Sequence, residues 1–478
     1  MAIKLNVKKE NFSEWWDKVV FYADLIDDRF PLKGTYVWKP YGFAALKLMV
    51  RIMENLLEET GHKEAYFPIF VPASVFAKEE EFLKGFGGEI LKVTKVGHHV
   101  LDQELIVRPT SETIIYPMFA LWIRSWRDLP IKVYQTVPVF RWETKMTKAM
   151  FRVREIVKFK EAHTAHASRE DADAQIKEGL TIYSKFFDML KIPYIIIRTP
   201  TWETFPGALY NYDFITVMPD GKVLELGSVI NLGQKFAKVF DIKFRDKDGE
   251  IKYIWQTCYG ISERSLGASL ALHGDDAGLI FVSTIAPIQI IIVPILKGGK
   301  SDAKIIEKAK ALKEYLQKEF RVEIDLSEKS PGEKFYHWEA KGVPIRIEIG
   351  ENELKTEKYS IILRDSRRKE SVAKKDLVAK IKDFLTEIDN NLYTKAKKAV
   401  QASIKSFTNI QSAALAFKKE KGIIKLPWCG SENCGRAMES EVSAGALGYD
   451  ESEKPSENAK CAKCGQPAKW MLAFGKTY

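Results

Sequence analysis

Apolar positions in the N-terminal part of the chain follow a helical period once and a strand period several times. Residues 41–60 carry apolar side chains at helical spacing and Gly61 follows them, which predicts an amphipathic helix with a glycine C-cap. Strands are predicted at 65–71, 101–107 and 131–143.

A further strand-like run at 152–159 follows a lysine-rich stretch, so we predict a long antiparallel hairpin over 131–160 with a basic loop. Helices are predicted at 171–190 and 267–273, and strands alternate with turns over 192–260. Strand-forming sequence therefore dominates this part of the chain.

The pattern changes after Pro287. Strands and helices alternate there, which predicts a compact three-layer α/β unit of about 100 residues. Its predicted elements are strand 288–296, helix 302–320, strand 321–326, a Gly/Lys loop, strands 343–350 and 359–365, and helix 375–390.

One apolar run, 278–296, is long enough to be tested as a membrane span. Pro287 and Pro294 interrupt it, and the pieces between them are short and rich in β-branched residues. We therefore expect two buried strands separated by a turn, and no membrane association.

Length and charge limit the class of protein. At roughly 150 residues per domain, 478 residues suggest about three domains, each with its own core, which excludes a small disulfide scaffold. The 74 Lys+Arg and 64 Asp+Glu leave a net charge of +10, which is compatible with a polyanionic partner but does not identify one. Residues 1–30 contain charges where a signal peptide needs an apolar run, so a cytoplasmic location is expected.

Four of the five cysteines form two close pairs near the C-terminus, Cys429-x4-Cys434 and Cys461-x2-Cys464. Two such pairs can converge on one tetrahedral Zn²⁺. Sulfur would fill all four positions, so the metal is expected to be structural. Cys258 stands alone in an apolar run and is expected to be a buried core thiol.

The common phosphate-binding loops are missing, since neither G-x-G-x-x-G after a strand nor a P-loop occurs. Arginines offer another way to bind anions. Arg141 and Glu143 lie two apart on a predicted strand, Arg152 and Arg154 follow on the opposing strand, and Arg264 lies further along. A simple ion pair is one interpretation, and a site for triphosphate and carboxylate oxygens is the other.

Several ordered motifs together carry a family resemblance. They are RPTSET at 108–113, FRWET at 140–144, RVRE at 152–155, KEAHTAHAS at 160–168 and GISERSLGASLALHGDDAGL at 260–279. With these motifs the chain resembles class II prolyl-tRNA synthetases of the archaeal and eukaryotic type over its whole length, including the KPYGF start of the dimer-forming motif 1 helix.

The resemblance implies an α/β multi-domain protein. A class II synthetase core, an antiparallel β-sheet with flanking helices, is expected at 1–286, a three-layer α/β anticodon-binding domain at 287–391, and an α/β zinc-binding domain at 392–478. The implied activity is ATP-dependent activation of L-proline and its transfer to tRNA(Pro) by a homodimer, with Mg²⁺ and a structural Zn²⁺.

The resemblance also implies residue roles. Arg141 and Arg264 are the expected catalytic arginines, on the α- and γ-phosphate respectively, and Arg141 also holds the amino-acid carboxylate. The other expected ATP-binding residues are Glu143, Arg152, Glu225, Ser228 and Ser262, and the other expected amino-acid-binding residues are Thr110, Glu112, Phe159 and Ile230. His163 and His166 are expected to form hydrogen bonds behind the site.

Two segments depart from the family pattern. Glu225, Ser228 and Ile230 stand where the family usually has glutamine, threonine and histidine, and Leu209 and Asn211 stand where it commonly has an acidic residue and threonine. The Glu225 carboxylate is expected to suit Mg²⁺.

These departures leave alternatives open. One is neutral drift with repacking, and another is a paralogue that activates a related imino or amino acid. A third is a tRNA-binding regulator without catalysis, against which the intact Arg141, Glu143 and Arg264 argue.

Basic segments at 145–154, 364–368 and 395–425 are where a tRNA is expected to lie. The anticodon-binding role also comes from the resemblance. The candidate side chains for it are Lys341, Arg346, Glu348, Arg364, Arg367 and Arg368, which can pair with single-stranded bases and phosphates or form only a solvated edge.

Overall fold

A computed structural model describes residues 5–79, 88–144 and 146–478. Lys145, in the first predicted basic segment, lies outside the described residues. The helices are α1 (Phe12–Tyr22), α2 (Pro40–Glu59), α3 (Ala73–Phe76), α4 (Glu112–Trp122), α5 (Arg169–Met189), α6 (Lys235–Val239), α7 (Arg264–His273), α8 (Asp302–Leu316), α9 (Pro331–Lys341), α10 (Glu351–Lys355), α11 (Leu377–Ala402), α12 (Ile410–Lys419) and α13 (Glu432–Val442).

The strands begin with short pieces and continue into the sheets described below. They are β1 (Ile26–Asp27), β2 (Val37–Trp38), β3 (Lys63–Glu64), β4 (Phe70–Pro72), β5 (Leu91–Val96), β6 (His99–Val107), β7 (Ile131–Phe140), β8 (Glu155–His166), β9 (Ile195–Arg198), β10 (Tyr210–Val217), β11 (Val223–Gly233), β12 (Lys243–Arg245), β13 (Ile251–Tyr253), β14 (Trp255–Ile261), β15 (Ile290–Pro294), β16 (Val322–Ile324), β17 (Ile345–Ile349), β18 (Lys358–Leu363), β19 (Lys369–Ala373), β20 (Ile404–Ser406), β21 (Ile423–Trp428), β22 (Gly445–Tyr449) and β23 (Trp470–Gly475).

An antiparallel sheet forms the centre of the N-terminal region, with the order β9-β10-β11-β14-β8-β7. The predicted hairpin is present as β7 and β8, although β8 begins later and runs further than 152–159. Helices α2 and α5 contribute to the apolar cluster beneath this sheet, which contains Met53, Tyr183, Val229 and Tyr259. The sheet is therefore anchored on one face and free to carry side chains on the other.

The second unit is a mixed sheet with the order β16-β15-β17-β18-β19. The interior strand β15 is buried along its whole length, because Ile290 and Ile292 pack on one side and Ile291 and Val293 pack on the other. Burial on both faces is what helices on either side of a parallel pair produce, so the predicted three-layer arrangement is confirmed.

Two predictions in this region were wrong. Of the two strands expected over 278–296, only β15 is a strand, since Leu279 and Phe281 donate their backbone N–H groups to the carbonyls of Ala340 and Gly342. These two backbone hydrogen bonds attach the segment to the second unit, but they do not form a continuous strand pairing. The expected Gly/Lys loop contains α9, which starts at Pro331 with a capping box between Ser330 and Glu333.

Most of the segment 65–71, where a strand was expected, does not form ladder hydrogen bonds with a neighbouring strand. The Phe67 N–H donates to the Gln135 side chain, and the Arg108 guanidinium donates to the carbonyl oxygens of Phe67 and Pro68. Side chains thus satisfy backbone groups that a neighbouring strand would otherwise bind. The strand β19, which the sequence pattern did not predict, pairs with β18.

The C-terminal strands extend the central sheet. Strand β22 pairs with β9 at Tyr449 and Arg198, which brings β20, β21, β22 and β23 into the same eleven-stranded sheet of the described chain. A Cβ atom on Gly448 would lie 2.4 Å from the Arg198 carbonyl oxygen, so this approach requires glycine. The helix α11 runs through residue 391, where the sequence division placed a domain boundary. No helix in the described ranges has the length and apolar character to cross a bilayer.

Candidate active site

Four neighbouring strands build a cavity of about 210 Å³. Strands β7, β8, β14 and β11 lie side by side, and α4 and α7 begin at its edges. Of the residues that the sequence assigned to substrates, those that line the cavity are Thr110, Glu112, Arg141, Phe159, Glu225, Ser228, Ile230, Ser262 and Arg264. Side chains from residue 110 to residue 264 are thus brought to one place.

Strand alternation explains most of this lining. Phe159, Glu161 and His163 are two apart on β8, and all three face the cavity. Cys258 on β14 lies directly opposite His163 on one side and Ile230 of β11 on the other. The sequence analysis placed His163 behind the site and Cys258 in the core. The sequence did contain a signal for Glu161 and His163, because every second residue of a strand that starts from Phe159 faces the same side as Phe159.

Two carboxylates, those of Glu112 and Glu161, line the cavity. The Thr110 hydroxyl donates to the Glu112 carboxylate, and the Ser111 hydroxyl donates to Glu161. Burial raises the pKa of Glu161, but hydrogen bonds from His163, Ser111 and Gln135 outweigh it and hold this pKa below its usual value. Glu161 is therefore a buried, ionised carboxylate.

Two arginines, Arg141 and Arg264, also line the cavity. Arg141 follows β7 directly, its Nε donates to the Pro109 carbonyl at 3.0 Å, and its guanidinium lies over the Phe159 ring at 5.4 Å. Arg264 begins α7, and its Nε donates to the Phe151 carbonyl at 2.8 Å. Burial, followed by the charge of Arg264, lowers the pKa of Arg141, which still stays protonated because an arginine starts so high.

Glu143 and Arg152 are not among the cavity-lining residues in the described part of the chain. They form an ion pair instead, with 3.2 Å between Arg152 Nη1 and Glu143 Oε2. Arg152 also donates to the main-chain oxygen of Tyr478, whose ring lies 5.0 Å from that of Phe151. Tyr478 is thereby fixed beside the segment that connects β7 and β8.

A carboxylate pair lies at the rim. Burial and the neighbouring Glu225 carboxylate raise the pKa of Asp213 to about 7, and the Ser228 hydroxyl donates to Glu225 at 2.9 Å. Two neighbouring carboxylates suit a hard divalent cation such as Mg²⁺, which prefers oxygen ligands. The donor set at Glu225 therefore fits the ion that the sequence analysis expected there.

The four C-terminal cysteines meet in space. Their sulfur atoms all lie within 4.8 Å of one another, and Cys429 Sγ is 3.8 Å from Cys464 Sγ. A tetrahedral Zn²⁺ with Zn–S bonds near 2.3 Å places its sulfurs roughly 3.8 Å apart. The cluster therefore fits zinc.

Two of the six anticodon candidates are occupied elsewhere. Arg364 is buried and forms two hydrogen bonds with Asp275, at 2.7 and 2.8 Å, and Lys341 binds Asp24 at 2.9 Å. Both carboxylates belong to the N-terminal region, so these two basic residues join the units. Arg346 lies over the Phe335 ring at 4.1 Å and lines a separate cavity with Glu348 and Arg367.

Comparison with known proteins agrees with this architecture. Residues 95–273 match the tRNA synthetase class II core domain (G, H, P, S and T), residues 289–384 match the anticodon binding domain, and residues 413–478 match the prolyl-tRNA synthetase C-terminal domain. A proline–tRNA ligase of Pyrococcus abyssi is 45% identical over 98% of both chains. The chain belongs to the prolyl-tRNA synthetase family.

Solved structures of the family have the same fold. A Giardia lamblia prolyl-tRNA synthetase in complex with prolyl-adenylate superimposes with a TM-score of 0.95 at 34% identity, covering 98% of this chain and 99% of the other. The enzyme of Cryptosporidium parvum, complexed with halofuginone and AMPPNP, gives 0.93 at 30% identity, with 99% of both chains covered. The family resemblance and the class II fold predicted from sequence are confirmed.

Proposed function

We propose that this chain activates L-proline with ATP and transfers the prolyl group to tRNA(Pro). The observation that carries the proposal is that one cavity is lined both by the carboxylates of Glu112 and Glu161 and by the guanidinium groups of Arg141 and Arg264. The secondary ammonium of proline needs acceptors, and ATP needs cations. The relatives named above, one of which holds prolyl-adenylate, support the same assignment.

In this proposal Thr110 and Glu112 receive the proline amine, while Phe159 and Ile230 form walls. Arg141 holds the proline carboxylate close to the α-phosphorus. A carboxylate oxygen forms a bond to that phosphorus, the bond to the β-phosphate oxygen breaks, and pyrophosphate leaves. Arg141 stabilises the charge that builds on the α-phosphate, and Arg264, beside Ser262, holds the γ-phosphate.

The remaining ATP contacts follow the family pattern. Glu143 is assigned to the adenine and Arg152 to the nucleotide side, where the Tyr478 contact fixes the Arg152 guanidinium. Ser228 orients Glu225, which together with Asp213 would hold Mg²⁺, and that ion supplies charge neutralisation on the phosphates when bound. The 3′-terminal hydroxyl of the tRNA then attacks the prolyl carbonyl, and AMP leaves.

The domain division 1–286, 287–391 and 392–478 and the homodimer are parts of this proposal. The four-cysteine cluster is proposed to hold a structural Zn²⁺, and the cavity with Arg346 and Glu348 is proposed for the anticodon.

ATP–pyrophosphate exchange with each of the twenty amino acids and several proline analogues tests the activity. We expect L-proline to support exchange well above the others. A preference for another imino acid would indicate the paralogue, and exchange with none of them would leave a tRNA-binding protein without catalysis.

Replacing Ile230 by histidine tests whether the departure from the family pattern changes the pocket. Ile230 packs with Cys258 in an apolar cluster, so the cavity wall is already complete without an imidazole. We expect the KM for proline in the exchange reaction to change by less than about threefold. A change of that size corresponds to less free energy than a typical net hydrogen bond contributes. Ile230→Val controls for packing, and a tenfold fall in KM for the histidine variant alone would identify a modified pocket.

A further inference from the structure

Glu112, His163 and Cys258 bring three different metal-ligating groups together in the cavity. The carboxylate oxygen, imidazole nitrogen and thiol sulfur lie within 4.8 Å of one another, and all three residues are buried. Oxygen, nitrogen and sulfur ligands are the set that Zn²⁺ accepts in proteins. The aliphatic and aromatic members of the cavity wall offer no such ligands.

The fold fixes the relative positions of these groups. His163 and Cys258 are directly opposed residues of β8 and β14, so their side chains leave the sheet on the same face. Glu112 is the first residue of α4 and reaches the cavity from its edge. The ligand atoms around a tetrahedral zinc ion are roughly 3.3–3.8 Å apart. Side-chain rotations that move the three ligand atoms by about 1 Å therefore bring them to the separations that zinc requires.

The surroundings orient the ligands. The Tyr116 hydroxyl and His163 Nδ1 are hydrogen bonded at 3.0 Å, so a metal would be bound through Nε2 and would replace the contact of that nitrogen with Glu161. That Nε2 lies 3.6 Å from Glu161 Oε2. The carboxylates of Glu161 and Glu112 line the same cavity as these ligands and attract a cation, and the Arg141 guanidinium lines that cavity as well.

We propose that Glu112, His163 and Cys258 form a second metal site, which binds a thiophilic divalent cation such as Zn²⁺ and keeps a fourth position open. The Cys258 thiol releases its proton to solvent when the metal binds. The bound cation occupies Glu112 and therefore competes with the amine of proline. This competition rests on the proposed function, whereas metal binding by the three residues does not.

Cobalt(II) titration of the full chain, with zinc already in the four-cysteine cluster, tests the site. We expect one further equivalent of Co²⁺ with a thiolate-to-cobalt charge-transfer band in the near ultraviolet. In Cys258→Ser that band is expected to disappear and the affinity to fall at least about tenfold. Cobalt that replaces zinc in the four-cysteine cluster gives the same band in the wild-type and Cys258→Ser proteins. The second site is therefore measured by the difference in band intensity between the two proteins. Equal bands in both proteins, or none in either, would overturn the proposal.

Competition with proline tests the location without any variant. Saturating L-proline is expected to weaken Co²⁺ binding to the wild-type chain at least about tenfold, since both need Glu112. Unchanged cobalt affinity in a chain shown by equilibrium dialysis to bind proline would refute a metal site on Glu112. A chain that binds cobalt through Cys258 but does not bind proline would refute the proposed function and leave the metal site standing.

Discussion

Replacing Arg141 by alanine is expected to lower kcat/KM for proline-dependent ATP–pyrophosphate exchange by at least about 10³-fold. The guanidinium is half-buried, lies over the Phe159 ring at 5.4 Å, and interacts electrostatically with Arg264, Glu112 and Glu161. A charge held in a water-poor cavity stabilises the developing charge on the α-phosphate more strongly than the same charge does in water. Alanine leaves both the proline carboxylate and that phosphate without this partner.

Two companion variants make the result specific. Arg141→Lys keeps the charge but loses the planar fork, so exchange is expected to recover only in part. Arg169→Ala removes an exposed arginine at the start of α5 and is expected to leave exchange within about twofold of wild type. The thermal unfolding midpoint reports whether each variant folds. Near-normal exchange in a folded Arg141→Ala protein would refute the site.

Removal of zinc from the four-cysteine cluster is expected to destabilise the C-terminal unit by several kcal/mol. Structural zinc contributes about 10–16 kcal/mol in small zinc-finger peptides, and an apolar core around Leu426, Met438 and Phe474 remains here without it. Because β22 pairs with β9 and Tyr478 contacts Arg152, loosening this unit should also disturb the ATP side of the site. Exchange activity is therefore expected to fall together with stability.

Cys429→Ser, or a chelator added to the wild-type chain, produces this change, and metal analysis with thermal unfolding measures it. Lys463→Ala is the matched control. Lys463 lies between the ligands Cys461 and Cys464, and its side chain forms an exposed ion pair with Glu441, which contributes little. Equal unfolding midpoints with and without metal would show that the cluster has no structural role.

The site itself was only partly accessible from sequence. The motif residues Thr110, Glu112, Arg141 and Arg264 carry their chemistry in their types and order, and all of them line the cavity. The place of Cys258 was not accessible, because a cysteine in an apolar strand looks the same whether it faces a core or a cavity. The register between β8 and β14 decides which it is.

The partners of two basic residues were likewise not predictable from the sequence. Arg364 and Lys341 read as candidates for nucleic acid, since the sequence shows their charge and their position near strand ends. Their partners, Asp275 and Asp24, are far away along the chain, so the pairing is invisible until the units are packed. Burial then makes the paired interpretation the favourable one, because an unpaired charge is costly to bury.

The sequence by itself determined the family, the four-cysteine cluster, the helix α2 and the β7–β8 hairpin, since local periodicity and motif order specify these. Only the tertiary structure decided that the C-terminal strands continue the central sheet, and that Glu112, His163 and Cys258 share one cavity. Such contacts join residues far apart in the chain. They depend on strand register and on which faces pack together, and a local pattern of apolar and polar residues contains neither.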